Sequence, residues 1–376
     1  MADKPKNSVF LPKRTTSGPG FSIWERETWF REVDAVVVGA GLVGMGCALQ
    51  LRRKHPGWNI VVMDQHPMGG ASTRNAGFAC FGSVSELLDD WDTLGERAVV
   101  DLVHMRWQGL ALLRDTLGDA AMGYQASGSV EAFTDAGMFQ RCVSQMDRVN
   151  EALTPVFGEA PFKLASDPGG LVDVCGAIES PLEGALDTGQ TIDAFRQKVR
   201  DEGIRVVLGL SLEGLRRESD RWTLETPMGS FLSPRVALAT NALSRRWLDV
   251  DVHPVANHVL VTQSLPDLTL RHTLHHDRGY VYARPVHGRL MIGGGRHWAC
   301  PDETATLERL LGWARRHVAG AEQAVIDHHW TGHLGIGENR WPVVKQVEDG
   351  LWCAVRMGGM GVAIGCAMGK KLADMM

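Results

Sequence analysis

None of the cysteines in this chain has a partner close in sequence. The seven, at 47, 80, 142, 175, 300, 353 and 366, form no CxxC pair; this spread suits reduced thiols rather than a disulfide framework and points to a reducing compartment. No stretch approaches the roughly 18 apolar residues of a membrane-spanning helix. The early charges Asp3, Lys4, Lys6, Lys13 and Arg14 precede no apolar segment of the kind a secretory leader carries, so a cytoplasmic protein is expected. Lys and Arg are scattered and the net charge is only −5. No basic run is available to follow a phosphate backbone, and nucleic acid is not an expected partner. His253, His272, His275, His276 and His297 show no HExxH or similar spacing, so no metal is assigned. There is neither an internal repeat nor a low-complexity segment.

A chain of 376 residues suits two intertwined domains. Residues 1–32 mix Pro, Gly, Ser, Thr and charges before presenting Phe21, Ile23, Trp24, Trp29 and Phe30, which reads as an arm whose aromatic end docks on the body. Ala35-Val36-Val37-Val38 is then a short apolar run of the kind a buried strand shows, and Val43, Cys47 and Leu51 recur on one helix face. His55-Pro56-Gly57 stops that helix. Ile60-Val61-Val62-Met63 is a second buried strand that ends at Asp64, and the whole has the length of a right-handed βαβ crossover. Further helices are expected over 102–117, 192–200 and 361–375, and a buried strand at 236–239. The alternation between 255 and 300 suits a half-exposed antiparallel sheet. The fold class expected is α/β: a Rossmann-type nucleotide-binding domain from residues 33–100, 170–250 and 330–376, with a second, mainly antiparallel substrate domain from 101–169 and 251–329.

Gly39-Ala40-Gly41-Leu42-Val43-Gly44 follows the first strand and opens the helix, with Asp64 twenty residues further on. Gly39 makes the tight turn, Gly41 lets backbone approach a pyrophosphate and Gly44 lets the helix pack on the strand. The helix N-terminus offers unpaired N–H groups and partial positive charge, and Asp64 can accept from a ribose diol. Either NAD or FAD satisfies this fingerprint. The run Gly69-Gly70-Ala71-Ser72-Thr73-Arg74-Asn75-Ala76-Gly77-Phe78 tips the choice to FAD, because small residues and hydroxyls just past the second strand offer backbone donors for the larger half of a dinucleotide.

With Val236-Ala237-Leu238-Ala239-Thr240-Asn241 and a C-terminal block from Trp330-Thr331-Gly332 through Trp341-Pro342 to Gly358-Gly359-Met360-Gly361-Val362 and Gly369-Lys370-Lys371-Leu372-Ala373, these segments resemble, in order, the D-amino-acid oxidase superfamily of flavoproteins, which includes glycine oxidase and sarcosine oxidase. Ser22-Ile23-Trp24-Glu25, the Ala71-Ser72-x-Arg74-Asn75 loop and the C-terminal block look most like its gamma-glutamylputrescine oxidase branch. The resemblance implies extended FAD, with Gly39, Ala40, Gly41, Leu42, Val43, Gly44, Asp64 and Gln65 at the ADP half. Ala71, Ser72, Thr73, Arg74, Asn75, Ala76, Gly77 and Phe78 would run along the pyrophosphate and isoalloxazine. Leu212 would meet the adenine through its backbone, Ala239, Thr240 and Asn241 would close the strand end, and Gly359, Met360, Gly361 and Val362 would sit at the flavin's pyrimidine edge.

Two departures matter. The position where glycine oxidase grips its substrate carboxylate with an arginine is Leu334, which disfavours a simple α-amino acid; Arg284, Arg296 or Arg340 offers that charge from another direction, each being as readily a surface or structural arginine. The flavin-linking cysteine and the oxygen-activating lysine of sarcosine oxidase have no counterpart near Trp341 and at Met291, so the FAD is expected to be non-covalent and the acceptor is oxygen or another oxidant. For substrate handling, Tyr280 and Tyr282 come from the strand that roofs the flavin, with alternation taken to turn one of them away. His258 and His333 are candidates to deprotonate an amine near neutral pH. The function expected is oxidation of a C–N bond of a primary or secondary amine or amino acid by hydride transfer to flavin. Its rivals are an electron-transfer flavoprotein subunit, a FAD dehydrogenase with a non-oxygen acceptor, and a nicotinamide enzyme.

Overall fold

A computed structural model describes residues 20–167 and 169–376; the first nineteen residues of the expected arm lie outside them. Ser22 and Glu25 form a reciprocal capping box that starts a short helix, α1 (Ile23–Glu25), continued as a π turn over Arg26–Phe30. Phe21 and Phe30 dock, with the Phe30 ring 4.5 Å from that of Phe231. Ile23, Trp24 and Trp29 were expected to dock as well and remain exposed, because a short helical segment turns only one side to the body.

The chain then forms β1 (Ala35–Val38), α2 (Leu42–Lys54) and β2 (Ile60–Asp64), followed by β3 (Phe78–Ala79), α3 (Val84–Leu94) and α4 (Glu96–Leu117). Gly95 separates the last two at φ +83°, so the second helix begins six residues before the expected start at 102. Next come β4 (Ser129–Phe133), α5 (Ala136–Phe157), β5 (Lys163–Leu164), β6 (Gly176–Ser180), β7 (Gly184–Ala185), α6 (Thr188–Asp201) and β8 (Arg205–Leu208). Asp135 and Asp187 cap α5 and α6. A meander of β9 (Gly214–Glu218), β10 (Arg221–Thr226) and β11 (Gly229–Ser233) precedes β12 (Val236–Leu238). The remainder is β13 (His253–Thr262), β14 (Thr273–His276), β15 (Val281–Val286), β16 (Arg289–Gly294), α7 (Glu303–His317), β17 (Ile326–Ile336), β18 (Val343–Glu348), β19 (Leu351–Val355) and α8 (Gly361–Asp374).

One sheet has the order β18-β19-β12-β1-β2-β8 and is parallel except for β18. All four residues of β1 are buried, as a strand covered on both faces requires. Ala35, Val37, Ala237 and Ala354 face the helices. Val36, Val38, Leu238 and Cys353 face the β9–β11 meander through Leu215, Trp222, Leu224 and Phe231. The second sheet runs β17-β13-β16-β15-β14-β4-β6-β5. It is antiparallel except between β4 and β14. The α/β class with two sheets is therefore as expected, while the expected half-exposure is not. Val281, Ala283, Leu290 and Ile292 pack under α7, and Val259, Val261 and Met291 pack on Ala76, so the more polar face looks inward. Strands β6 and β17 join this sheet although residues 170–250 and 330–376 read as nucleotide-side sequence, and α4 packs on α8. Contiguous stretches cannot reveal such exchanges, because strand pairing is non-local.

Helices α2, α4 and α8 meet through glycine. A Cβ on Gly369 would stand 2.2 Å from the Val43 carbonyl oxygen, one on Gly109 would stand 2.1 Å from that of Ala363, and one on Gly365 would stand 2.9 Å from Leu42 Cβ. Backbone touches backbone here, in a way that only residues without a side chain allow. No helix among the described residues is long and apolar enough to cross a membrane. Gly369→Ala is expected to destabilise by about 1–3 kcal/mol through overpacking. Gly312→Ala, in an exposed stretch of α7 with nothing within 4 Å of the new methyl, is expected to stabilise by about 0.5–1 kcal/mol. Urea denaturation of the two variants checks the opposite signs.

Candidate active site

Each fingerprint glycine has a steric reason. Gly39 turns at φ +111°, donates to the Met63 carbonyl at 2.7 Å, and leaves no room for a Cβ, which would lie 2.5 Å from the Ala239 oxygen. A Cβ on Gly44 would lie 1.8 Å from the Gly39 oxygen, and one on Gly41 would lie 2.7 Å from Ser72 Oγ. Asp64 braces the turn: its carboxylate accepts from the amides of Ala40 (2.8 Å) and His66 (2.8 Å). Gln65 reaches His66 at 3.1 Å. The Leu210 amide bonds the Asp64 carbonyl at 3.0 Å and so brings the loop carrying buried Leu212 to the end of β2.

The 71–78 loop is knit to both sheets. Ser72 Oγ accepts from the Leu42 amide at 3.1 Å, Thr73 donates to the Gly70 carbonyl, and Ala71 opens the 3-10 turn that carries both. Arg74 donates to the Thr331 carbonyl at 3.1 Å, while Trp330 Nε1 donates to the Arg74 carbonyl at 3.0 Å. Asn75 Oδ1 accepts from the Gly77 amide and the Thr188 hydroxyl. Gly77 (φ +70°) passes so close to Leu186 that a Cβ would stand 2.3 Å from its oxygen. Arg74 and Asn75 thus spend their side chains on protein, and it is the loop's backbone that is left to line the cleft.

At the other strand end, the Ala239 amide bonds the Val38 carbonyl and Thr240 pairs with Ser244 at 2.7 Å. Asn241, at φ +46°, accepts from the amides of Arg356 (3.0 Å) and Met357 (3.3 Å) and so locks the C-terminal block onto the nucleotide sheet. Gly358 and Gly359 turn the chain with positive φ into Met360, which caps α8 at Gly361, and Val362 packs beside Val43. The contact of Gly365 with Leu42 sets the heads of α2 and α8 side by side. Their unpaired amides and partial positive charges open together on the C-terminal edge of the parallel sheet.

The inner face of the eight-stranded sheet roofs this edge. Tyr280 and Tyr282, two residues apart, share that face, which corrects the expectation that alternation turns one away: the period is two. Asn257 Nδ2 donates to the Tyr282 hydroxyl at 2.5 Å, Phe78 stands edge-on to Tyr282 at 5.3 Å, and Leu334 reaches Gly359. Burial pushes the Tyr282 phenol up, against the Asn257 bond and the Arg296 charge. His258 and His333 are not in this group. The first faces α7, with Nδ1 2.9 Å from Thr331 Oγ1 and 3.3 Å from Glu303. The second is exposed on the same outer face, opposite Ala256. Both sit at odd steps from Asn257 and Gly332, so the pleat carries them to the wrong side.

Sequence reasoning missed several residues. Arg196 of α6 has Nε and Nη2 buried without a partner, Nη2 lying 3.2 Å from the point a Gly69 Cβ would occupy; burial lowers its pKa while Asp64 opposes. Glu183, accepting from the amides of Phe81 and Gly82, pairs with His275 at 3.1 Å, both side chains being buried. Cys80 lies within 4.8 Å of this pair, its thiol pushed far up by burial. Arg340 bridges Glu86 at 3.0 Å and Asp90 at 2.5 Å, and burial raises Asp90 to about 6 in spite of Arg340. Each has neighbours too distant in sequence to leave a pattern. A cavity of about 370 Å³ between α3, α4 and α5, lined by Leu88, Trp91, Glu96, Arg141, Gln145 and Arg148, includes none of the site residues.

A glycine-lined helix head over a parallel sheet, an acid at the end of the second strand and an antiparallel roof define a dinucleotide-binding oxidoreductase. The residues suit FAD: beside the glycine turn, Arg196 presents buried nitrogens near Asp64 that have no partner among the described residues and suit an anionic group. Residues 34–375 match the DAO family, FAD dependent oxidoreductase, and the chain belongs to that family. FAD, rather than a nicotinamide, is therefore its cofactor. Among curated proteins it is similar to the bifunctional protein ThiO/ThiG of Synechocystis sp., 21% identical over 80% of this chain and 44% of that one; it thus spans less than half of that relative's length. Among solved structures it is similar to glycine oxidase from Geobacillus kaustophilus (TM-score 0.70, 22% identity, covering 91% of this chain and 93% of that one). It is also similar to L-proline dehydrogenase from P. horikoshii (0.72, 17%, 92% and 93%).

The Glu183–His275 pair makes stability depend on pH. Burial by itself raises Glu183, but the His275 hydrogen bond and charge outweigh it and hold the carboxyl below its ordinary 4.5. Burial by itself lowers His275, but Glu183 outweighs it and holds the imidazole above its ordinary 6.5. The pair therefore contributes fully between those values. Its contribution fades as pH falls through the depressed Glu183 value or rises through the elevated His275 value. Glu183→Gln is expected to destabilise by about 3–5 kcal/mol near pH 5.5 and to flatten the profile of melting temperature against pH.

Proposed function

We propose that this protein oxidises a C–N bond of a primary or secondary amine or amino acid by hydride transfer to bound FAD. The observation that carries the reading is the junction of two helix heads and a Gly-rich loop beneath a roof bearing Tyr282, Asn257, Phe78 and Leu334. The amides of α2 would hold the diphosphate, Asp64 a ribose and Leu212 the adenine, while the backbone of 71–78 would line the remainder of the FAD. The head of α8, at Gly359–Val362, would stabilise negative charge on the flavin. FAD supplies the hydride acceptor.

The chain's own contribution is mainly position. Tyr282 accepts from Asn257 and has its phenol raised by burial, so it stays neutral and turns its O–H toward the cleft to orient the substrate nitrogen. With His258 and His333 outside the cleft, the amine enters already unprotonated. The parallel-sheet side binds cofactor and the eight-stranded sheet encloses substrate. The flavin is held without a covalent bond: Cys353 is buried on the meander side of the parallel sheet, and burial raises its thiol. Met291 leaves the roof without a cation at that place, and the acceptor is oxygen or a quinone or protein oxidant. All seven cysteines are free, in keeping with a cytoplasmic location.

Purified protein is expected to be yellow, to release FAD on denaturation, and to bleach anaerobically with at least one member of a panel of amines, amino acids and N-methyl amino acids. Admission of air then distinguishes oxygen from another acceptor. Gly41→Val is expected to weaken FAD binding at least about tenfold with circular dichroism unchanged. Bleaching by none of the panel would sink the reading.

A further inference from the structure

A guanidinium carries five N–H donors, and those withdrawn from water are ordinarily bonded. Among the described residues, Arg52 and Arg284 each leave a buried Nε without a partner, but each bonds a carbonyl through another nitrogen. Arg196 of α6 differs: its Nε and Nη2 are both buried and both without a partner. These two atoms form one edge of the guanidinium, whose parallel N–H bonds match two oxygens of a single carboxylate or phosphate. The acids nearby do not take that place. Asp64 has its two carboxylate oxygens on the Ala40 and His66 amides, at 2.8 Å each. Asp193 and Arg200, on the same helix, act on Arg196 with opposite signs and bond neither nitrogen.

This edge lies against the loop that follows β2. Gly69 turns there at φ +104°, and a Cβ on it would stand 3.0 Å from Thr73 Cγ2 and 3.2 Å from Arg196 Nη2. Thr73 is fixed by its hydroxyl on the Gly70 carbonyl at 3.1 Å, and its neighbour Ser72 places Oγ 3.1 Å from the Leu42 amide, in the first turn of α2. One short loop therefore separates Arg196 from the unpaired amides and partial positive charge at the head of α2. Two positive sources so close, one of them withdrawn from water without a counter-ion, suit a multiply charged anion better than a ribose hydroxyl. We propose that Arg196 is a second anchor for the diphosphate of FAD, gripping phosphate oxygens from α6 in addition to the amides of α2. Gly69 leaves the space in which the guanidinium reaches the loop. The assignment rests on the placement of the diphosphate at α2 proposed above, and is independent of which amine is oxidised.

The full-length holoprotein, diluted until FAD dissociates and followed by the fluorescence of free flavin, yields the Kd for FAD. ADP and adenosine added to the same sample yield their displacement constants. Arg196→Met is expected to weaken FAD at least about tenfold, the scale of a charge-assisted bidentate contact, and to weaken ADP by the same factor while leaving adenosine unchanged. Arg196→Lys, which keeps the charge but not the fork, is expected to fall between wild type and the methionine variant, and serves if the latter does not fold. An unchanged Kd for FAD in either variant overturns the assignment. So does a loss for adenosine equal to that for ADP, because the guanidinium would then serve the ribose or support the loop alone. Gly41→Val separates this assignment from the reading on which it rests: if that variant weakens FAD and the Arg196 variants do not, Arg196 alone is misassigned, whereas an unchanged Kd in Gly41→Val strikes the placement of the diphosphate at α2.

Discussion

The structure depends on the close contact between α2 and α8. Gly365 and Gly369 lie against Leu42, Val43 and Cys47 with no side chain between the backbones, and Gly109 brings α4 onto the same pair from the other side. Because the two helices start at the same edge of the parallel sheet, this contact superposes two sets of unpaired amides and two partial positive charges. A wider separation, forced by even one methyl, would divide that field. The close packing of the helices and the positive field at their heads are therefore one physical fact, expressed once in packing and once in electrostatics.

The roof is fastened to this floor by polar bonds rather than by a continuous core. Arg74 and Trp330 exchange bonds across the seam, and Asn241 holds the Arg356 and Met357 amides. Glu183 ties the 80–82 segment to His275 of the roof, and Arg340 ties the turn before β18 to α3. In a buried setting such bonds are strong when satisfied and costly when broken, so the seam specifies one relative placement of the two sheets. They also consume most of the charge near the cleft. Arg196, whose buried nitrogens have no partner among the described residues, stands outside this set of bonds.

Local chemistry announced itself in the sequence wherever one short segment did a whole task. The glycines at 39, 41 and 44, the buried strand before them, the acid at 64 and the small-residue loop at 71–78 were legible because steric demands on consecutive residues leave a spaced pattern. The same holds for Gly365 and Gly369, visible as a small face on the last helix. The histidines show the reverse. His258 and His333 were plausible by type, and the pleat carries both to the α7 side. Tyr280 and Tyr282 were read as facing opposite ways although they share a face, and the aromatic cluster at 21–30 docks through only two of its rings.

The sequence by itself determined the class of the nucleotide domain, its cofactor-facing turn and the two-sheet plan, since these follow from periodicity and from glycines that tolerate no Cβ. Only the tertiary structure decided which strands belong to which sheet, which face of each strand a side chain takes and which charges are paired. Strand exchange, pleat direction and charge pairing all join residues tens to hundreds of positions apart, as Arg340 with Glu86 and His275 with Glu183 do. Such partners constrain one another through space and leave no repeating interval in the chain.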